Sequence, residues 1–240
     1  MKKVIQLDTT SVSFSQKIAS SIKGLIGNIF EVNSKYMDIP NLKLFDRLNA
    51  IWSKTTSTAQ IGVANFSLNP QGKGFIAIET AGTSQNFFLK DLNKDKFTFI
   101  TVAKARSDGA LTNLLMHDSA LTPISADIVP RLQITTAGNF TFYTGTTSAR
   151  ISAPIVNPLA VHIYTLTFSV DEGLKLYIDG ELAASNITDK RPLTNSVARF
   201  VAQINAGFGF VLSVDDDLSK IQHAAKLKLI HDSLKEHYSI

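Results

Sequence analysis

Residues 162–182 read HIYTLTFSVDEGLKLYIDGEL. Apolar and polar side chains alternate from His162 to Phe168 and again from Leu174 to Ile178, the period of two that puts successive side chains on opposite faces of a β-strand. An Asp-Glu-Gly turn at 171–173 separates the two runs. Asp179-Gly180 then tolerates the two positive φ angles of a type I′ turn, which closes tight hairpins. The stretch therefore predicts an antiparallel meander that continues past Gly180.

Other parts of the chain carry further strand patterns. Lys96–Ala105 reads KFTFITVAKA and is largely apolar on both faces, so we expect a central strand with a covered surface on each side. Residues 131–143 predict a hairpin, because Ala137-Gly138-Asn139 tolerates positive φ between two alternating runs. Shorter strands are predicted at 59–68, 75–78, 197–204 and 208–214. Together these patterns predict an all-β fold, a two-sheet antiparallel β-sandwich of the jelly-roll type.

The beginning of the chain differs from this pattern, and we interpret residues 1–40 as an N-terminal arm. A helix is possible over residues 13–31, where apolar side chains recur at helical spacing. These side chains are Ile18, Ile22, Leu25, Ile26, Ile29 and Phe30. The apolar stripe either packs on the sandwich or serves as a docking arm for a partner.

The end of the chain also returns to helical spacing. Residues 217–240 predict an amphipathic helix packed on the sandwich, which we assign to residues 41–216. The negative charge of Asp215-Asp216-Asp217 favours a helix N-terminus at this point. The expected buried face carries Leu218, Ile221, Ala225, Leu229 or Ile230, Leu234 and Tyr238.

The composition excludes several classes of protein. The 240-residue chain has no cysteine, which excludes disulfide bonds and thiolate chemistry. Its net charge is only +4 and no dense cluster of lysine and arginine is present, so we expect no nucleic acid partner. No apolar run approaches the ~20 residues of a membrane-spanning helix, so we expect no membrane partner. Polar residues interrupt the apolar stretch after Met1-Lys2-Lys3 too early for a signal peptide.

Residues 97–185 resemble the concanavalin A-like lectin/glucanase domains, in particular their laminin G-like branch. Three blocks match the family in order and spacing: FTFITV from Phe97, VHIYTLTF from Val161 and GLKLYIDGEL from Gly173. The sequence departs from the family at Val161, where a tryptophan usually precedes the histidine. The resemblance implies a jelly-roll sandwich of a superfamily that contains both lectins and glycan-cleaving enzymes.

The C-terminal segment is similar to the amphipathic helix that ends sandwich-bearing virion proteins of tailed bacteriophages. The matching positions are Leu218, Ile221, Leu234 and Tyr238. This resemblance implies a non-enzymatic virion structural protein, tail-associated or capsid-decorating, that is made in the bacterial cytoplasm and resides in the virion. Its partners would be other virion proteins and further copies of the chain in a homo-oligomer, and it could contribute to attachment to a host-surface glycan. The alternative function is a dedicated carbohydrate-binding lectin module.

A glycan-cleaving enzyme of the glucanase branch is disfavoured. The strand motif E-x-D-x-x-E supplies the two carboxylates that such enzymes place on either side of a glycosidic bond. None of the glutamates here is followed by Asp two positions later. No histidine pair has the H-E-x-x-H spacing of a zinc site, and no serine lies in G-x-S-x-G. We therefore predict no catalytic residues and no cofactor, and a protein that is not an enzyme.

Two sets of residues are candidate ligand contacts. Ca²⁺ prefers carboxylate oxygens, so a calcium site is allowed at Asp108, Asp215 and Asp217, although turns and a helix start also explain these residues. Sugar sites often present an aromatic ring to the apolar face of the sugar. The aromatic candidates for such a contact are Trp52, Tyr143, Tyr164 and Tyr177.

Overall fold

The computed structural model describes residues 14–31, 37–38, 43–46, 48, 51–54, 64–68, 74–78, 85–89, 92–116, 130–144, 149–194, 199–202 and 206–240. The helices in these ranges are α1 (Phe14–Ser21) and α2 (Ala224–Tyr238). The strands are β1 (Gly27–Glu31), β2 (Met37–Asp38), β3 (Lys43–Asp46), β4 (Ile51–Lys54), β5 (Ala64–Leu68), β6 (Gly74–Ile78), β7 (Gln85–Phe88), β8 (Lys96–Lys104), β9 (Thr112–Met116), β10 (Pro130–Ile134), β11 (Asn139–Thr144), β12 (Ala149–Pro154), β13 (His162–Ser169), β14 (Gly173–Ile178), β15 (Glu181–Asn186), β16 (Arg199–Ala202) and β17 (Gly207–Val214).

The strands form two large antiparallel sheets and one small sheet. An eight-stranded sheet has the order β15-β14-β13-β8-β17-β6-β5, with β1 paired to the other end of β17. A six-stranded sheet has the order β12-β11-β10-β9-β16-β7, and β2-β3-β4 form a three-stranded sheet. The predicted fold class, a two-sheet antiparallel sandwich with helical additions, is confirmed.

The predicted hairpin, central strand and meander take their expected places. The hairpin that joins β10 and β11 pairs Ile134 with Phe140, and Gly138 has a positive φ of 73°. Strand β8 lies between β13 and β17, as its two apolar faces predict. Strands β13, β14 and β15 form the meander predicted from residues 162–182.

The core between the two large sheets is rich in aromatic rings. The ring centroid of Phe97 lies 5.7 Å from that of Phe168 and 6.2 Å from that of Phe142. The rings of Phe140 and Tyr164 are 5.0 Å apart. All five side chains are fully buried. Aromatic pairs in tilted or edge-on geometry contribute about 0.5–1.5 kcal/mol beyond the burial of their area, so the Phe97–Phe142 and Phe140–Tyr164 contacts join the two sheets.

The outer face of the eight-stranded sheet is apolar as well, and the two ends of the chain cover it. Ile100 and Val102 of β8 and Ile163 of β13 belong to this second apolar cluster. The terminal segments contribute Ile18, Ile22, Ile29, Leu218, Leu227, Ile230, Leu234 and Tyr238 to the same cluster. The fold therefore has three layers: terminal segments, eight-stranded sheet and six-stranded sheet.

A buried ion pair closes one edge of the sandwich. Arg150 of β12 donates to both carboxylate oxygens of Asp189, each at 2.7 Å. Its guanidinium also lies 5.1 Å from the ring centroid of Phe168. Hydrogen bonds from Arg191 and Arg150 hold the pKa of Asp189 well below its usual range. The pair therefore fastens the segment after β15 to the edge of the other sheet.

The N-terminal segment departs from the sequence-based prediction. The possible helix over 13–31 ends at Ser21, and Gly27–Glu31 is instead a strand that pairs with β17. A Cβ atom on Gly27 would lie 1.8 Å from the carbonyl oxygen of Ser213, so only glycine allows this approach. Strand pairing satisfies the backbone there, and the end of the interpreted arm is part of the sandwich.

The apolar stripe of this segment is core, which makes the docking-arm interpretation wrong. Ile18, Ile22 and Ile29 are 0% exposed and Phe30 is 1% exposed. Only Ile26, at 55%, is largely exposed among the stripe residues. Burial within one chain leaves little of this stripe for a partner.

The C-terminal helix begins later than predicted. Residues 218–223 form turns, because Asp217 Oδ1 accepts a hydrogen bond from the backbone of Ser219 at 2.9 Å and holds a tight bend. Ile221, expected on the buried face, is therefore 92% exposed, whereas Leu234 and Tyr238 are buried as predicted. No helix within the described ranges is long and apolar enough to cross a membrane.

Truncation of the stripe tests its role in the core. We expect Ile22→Ala to lower the free energy of unfolding by about 2–5 kcal/mol, since it removes fully buried methyl groups and leaves a cavity. The matched control Ile26→Ala should cost less than about 1 kcal/mol because that side chain is largely exposed. Urea denaturation measures both values. Equal stability of Ile22→Ala and wild type would contradict a role of the stripe in the core and favour the docking-arm interpretation.

Candidate functional site

A cleft lies between α2 and the hairpin that joins β14 to β15, and we call it the helix–hairpin cleft. Its volume is about 310 Å³. The lining residues are Tyr177, Gly180 and Glu181 from the hairpin, Ser219 from the turn before α2, and Ala224, Leu227, Lys228, His231, Asp232 and Lys235 from α2.

The hairpin wall of the cleft is built by the Asp179-Gly180 turn. Both residues have positive φ, 52° and 81°, as the sequence predicted for a type I′ turn. The carboxylate of Asp179 accepts the backbone N–H of Ile163 at 2.8 Å and a hydrogen bond from His162 Nδ1 at 2.7 Å. The turn is thus fastened to the neighbouring strand β13.

His162 is held between two acceptors. Its Nε2 lies 3.0 Å from the carbonyl oxygen of Asn157, opposite the bond to Asp179. Burial lowers the pKa of His162, but the hydrogen bonds to Asp179 and Asn157 outweigh it and leave the pKa above its usual value. A protonated imidazole can donate from both nitrogens at once, so this ring ties the turn to the loop before β13.

Helix α2 packs directly on the turn. A Cβ atom on Gly180 would lie 3.2 Å from His231 Cβ and 3.3 Å from Lys235 Cε. Glycine is therefore required here by its positive φ and by the close approach of the helix.

His231 fixes the helix to the sheet at the floor of the cleft. The side chain is 4% exposed, and its Nε2 shares a hydrogen bond of 2.9 Å with Thr165 Oγ1. Burial, together with the nearby charge of Lys235, lowers the pKa of His231 to about 4. The imidazole is consequently neutral at neutral pH.

Tyr177 supplies the aromatic surface of the cleft. The side chain is half-buried on β14, and its ring centroid lies 5.8 Å from that of His231. Its neighbour Leu176 points into the inter-sheet core, and the alternation of the strand therefore directs Tyr177 to the helix side. This geometry leaves part of the ring available to a ligand.

The rim of the cleft carries charges in opposite pairs. Lys228 Nζ lies 2.5 Å from Asp232 Oδ2, and Lys235 Nζ lies 3.9 Å from Glu181 Oε1 across the cleft. The hydrogen bond from Lys228 lowers the pKa of Asp232. The cleft therefore offers an aromatic ring, ammonium donors and carboxylate acceptors within one concave surface.

The other aromatic candidates lie elsewhere. Tyr164 is fully buried in the inter-sheet core, so the prediction that its ring could contact a ligand is corrected. Tyr143 lies on β11 of the six-stranded sheet, with the Arg131 guanidinium 5.2 Å from its ring centroid. Trp52 lies on β4, and its side chain is outside the described part of the structure. Of the four candidates, the structure places Tyr177 in the cleft.

The candidate calcium ligands each have a local structural role. Asp108 accepts from Arg106 and from the backbone of Ala110 at 3.1 Å, which closes a turn. Asp215 accepts the backbone N–H of Ile26, and the buried Asp217 accepts from Ser169 and Ser219. The described residues contain no group of three His, Asp or Glu side chains that could hold a metal ion. Calcium binding at these residues stays a prediction.

Sequence reasoning missed most of the cleft. Lys228, Asp232 and Lys235 are spaced by four and three residues, which places them along one helix face. This spacing was visible in the sequence. The position of that face opposite Tyr177 and Glu181 was not, because it depends on how α2 packs on the hairpin.

The chain is similar in fold to several solved structures. It matches the sialidase of Trypanosoma rangeli in complex with 2,3-difluorosialic acid, with a TM-score of 0.55, 12% identity and coverage of 89% of this chain and 33% of that one. It matches the botulinum neurotoxin serotype D ligand-binding domain in complex with N-acetylneuraminic acid, with a TM-score of 0.55, 14% identity and coverage of 95% and 52%. It also matches the binding domain of botulinum neurotoxin DC in complex with rat synaptotagmin II, with a TM-score of 0.58, 11% identity and coverage of 90% and 52%.

At these low sequence identities, the likenesses concern the fold alone. The chain spans about half the length of the neurotoxin domains and a third of the sialidase. No protein-family model matches the chain, and no curated protein is similar to it in sequence. The structural likenesses confirm the β-sandwich fold that the predicted resemblance implied.

Acid titration tests the neutral, buried state of His231. A histidine whose folded pKa lies below its unfolded value contributes stability above about pH 6.5 that is lost as pH falls towards the folded pKa. A shift from 6.5 to about 4 corresponds to a loss of about 3 kcal/mol at most. We expect wild type to lose this stability relative to His231→Gln, which cannot titrate, between pH 7 and pH 4.

Urea denaturation of both proteins at intermediate pH values measures this difference. His162 is present in both proteins, so its opposite pH dependence cancels. A stability difference between wild type and His231→Gln that does not change with pH would show that His231 is not held neutral.

Proposed function

We propose that the protein is a non-catalytic carbohydrate-binding module and that the helix–hairpin cleft is its ligand site. The observation that carries the proposal is the half-buried ring of Tyr177 at the floor of a concave surface with a charged, hydrogen-bonding rim. Sugar rings have an apolar face that packs on aromatic rings and hydroxyl groups that need both donors and acceptors. The cleft presents both kinds of contact.

The size of the cleft limits the ligand. Ligand sites usually enclose about 300–1,000 Å³, and this cleft lies at the low end with about 310 Å³. We infer that it holds one sugar unit, such as the end of a longer glycan.

The matched structures support the proposal by analogy of fold. The neurotoxin D domain was solved with N-acetylneuraminic acid, and cell entry of the related neurotoxin type C, matched at 13% identity, depends on two ganglioside molecules. Fold alone does not fix function, so the evidence for sugar binding has to come from the residues of the cleft.

The carboxylates of the cleft are unsuited to glycan cleavage. A glycosidase needs one carboxyl group that stays protonated through burial or repulsion. The pKa of Asp232 is instead lowered by Lys228, and the side chain of Glu181 is 87% exposed. We therefore propose binding without hydrolysis.

The virion role and the homo-oligomer stay predictions from the sequence. Burial of the N-terminal stripe removes the apolar surface on which a self-assembly arm was based. A glycan-binding module would fit the attachment role that the sequence also suggested, whether the module acts in a virion or by itself.

Glycan binding by Tyr177 variants tests the proposal. On a glycan array we expect the wild-type protein to bind, and Tyr177→Ala to lose about tenfold or more in affinity, since the aromatic platform is worth about 1.4 kcal/mol. Tyr177→Phe should retain most of the affinity because the ring remains.

The control Tyr143→Ala removes a half-buried tyrosine of the other sheet and should bind as wild type does. Thermal unfolding of each variant verifies that it is folded. Absence of binding to any glycan, or equal binding by folded Tyr177→Ala, would contradict the proposal.

A further inference from the structure

We infer that the helix–hairpin cleft selects a neutral sugar with adjacent hydroxyl groups over an acidic sugar. This inference rests on the proposed function and adds the class of ligand. It follows from the order and balance of the charges around Tyr177.

The charges alternate along the helix wall of the cleft. Lys228, Asp232 and Lys235 follow one another at intervals of about one helical turn, which places neighbouring side chains about 5–6 Å apart at their Cβ atoms. Glu181 lies across the cleft from Lys235, with 3.9 Å between Nζ and Oε1. His231 stands between these residues and is neutral at neutral pH. The lysines and carboxylates that line the cleft are therefore equal in number.

The Lys228–Asp232 ion pair matches two neighbouring hydroxyl groups. Lys228 Nζ and Asp232 Oδ2 lie 2.5 Å apart, so a donor and an acceptor stand side by side. A hydroxyl group can donate and accept, and two adjacent sugar oxygens are about one hydrogen-bond length, ~2.8 Å, apart. One hydroxyl can thus donate to the carboxylate while its neighbour accepts from the ammonium, and the ion pair remains intact.

An acidic sugar meets the same groups less favourably. Its carboxylate can accept a hydrogen bond from a lysine, whose ammonium group has three donors, but Asp232 or Glu181 then lies close to the new negative charge. Like charges at short range repel, and the desolvation of another charge adds a cost. The balance of charges therefore favours a ligand that carries none.

The loose pair at the hairpin indicates where the ligand enters. Lys235 and Glu181 are separated by 3.9 Å, and Glu181 is 87% exposed. Lys228 and Asp232 already lie within hydrogen-bond distance, whereas the looser pair has room for a bridging hydroxyl group. The sugar would then lie on Tyr177 with one edge towards α2 and the other towards the turn.

Sugars that differ only at C6, where the acid has a carboxylate in place of the hydroxymethyl group, test the inference. Isothermal titration of the full chain would compare methyl galactoside with methyl galacturonide, and methyl glucoside with methyl glucuronide. We expect the better neutral sugar to bind about tenfold or more tightly than its acid. Its affinity should change less than about twofold between roughly 50 and 500 mM salt, because a neutral ligand has no charge to screen.

Variants assign the preference to the cleft. The double variant Asp232→Asn, Glu181→Gln leaves both lysines unneutralised, so we expect weaker binding of the neutral sugar and several-fold tighter binding of its acid. The control Glu236→Gln removes an exposed carboxylate of α2 that does not line the cleft, and it should leave the ratio unchanged.

Two outcomes would overturn the inference, and they are distinguishable. Tighter, salt-sensitive binding of the acidic sugars that is lost in Tyr177→Ala would leave the cleft as a sugar site with the opposite preference. Absence of binding by both sugar classes and by the glycan array would reject the proposed function together with the inference.

Discussion

Strand β8 is apolar on both faces, and this constraint shapes the rest of the molecule. Phe97 and Phe99 on one face meet the six-stranded sheet, while Ile100 and Val102 on the other face require a second cover. The chain supplies that cover from its two ends, with α1 near the beginning and α2 at the end. Burial of apolar area, worth roughly 25 cal/mol per Å², thus holds the terminal segments in place.

The candidate site is a consequence of this cover. Helix α2 lies on the outer face of the eight-stranded sheet and meets the β14–β15 hairpin at its turn, where Gly180 permits contact with His231. A concave surface remains beside this contact, with Tyr177 at its floor. The two histidines near the turn respond oppositely to pH, since the pKa of His162 is raised by its acceptors and the pKa of His231 is lowered by burial. The hairpin is therefore held by His162, whose pKa favours the protonated form, and by His231, whose pKa favours the neutral form.

Local sequence was sufficient where a few neighbouring residues decide the structure. The Asp179-Gly180 turn and the central position of β8 follow from turn chemistry and alternation, and both were predictable. Strand β1 was not, because its partner residues Phe210–Val214 lie far along the chain and its apolar spacing also fits a helix. Ile221 was misplaced for a local reason, since the bond from Ser219 to Asp217 makes a turn before the helix starts.

The cleft was less predictable than the fold. Tyr177 was among the four aromatic candidates, but in sequence its strand position looks like that of Tyr164. Only the structure shows that Tyr164 is fully buried and Tyr177 half-buried. The charged rim joins α2 to the hairpin across about 50 residues, and only tertiary packing brings Glu181 close to Lys235.

Hydrogen exchange measures directly whether a sugar binds between α2 and the hairpin. Amide exchange would be measured by mass spectrometry with and without the tightest-binding neutral methyl hexoside. A ligand that bridges the two walls slows local opening, so we expect added protection in residues 176–182 and 224–238 and little change in β10, β11 and β12. Protection confined to the six-stranded sheet, with α2 and the hairpin unchanged, would show that the sugar binds outside the helix–hairpin cleft.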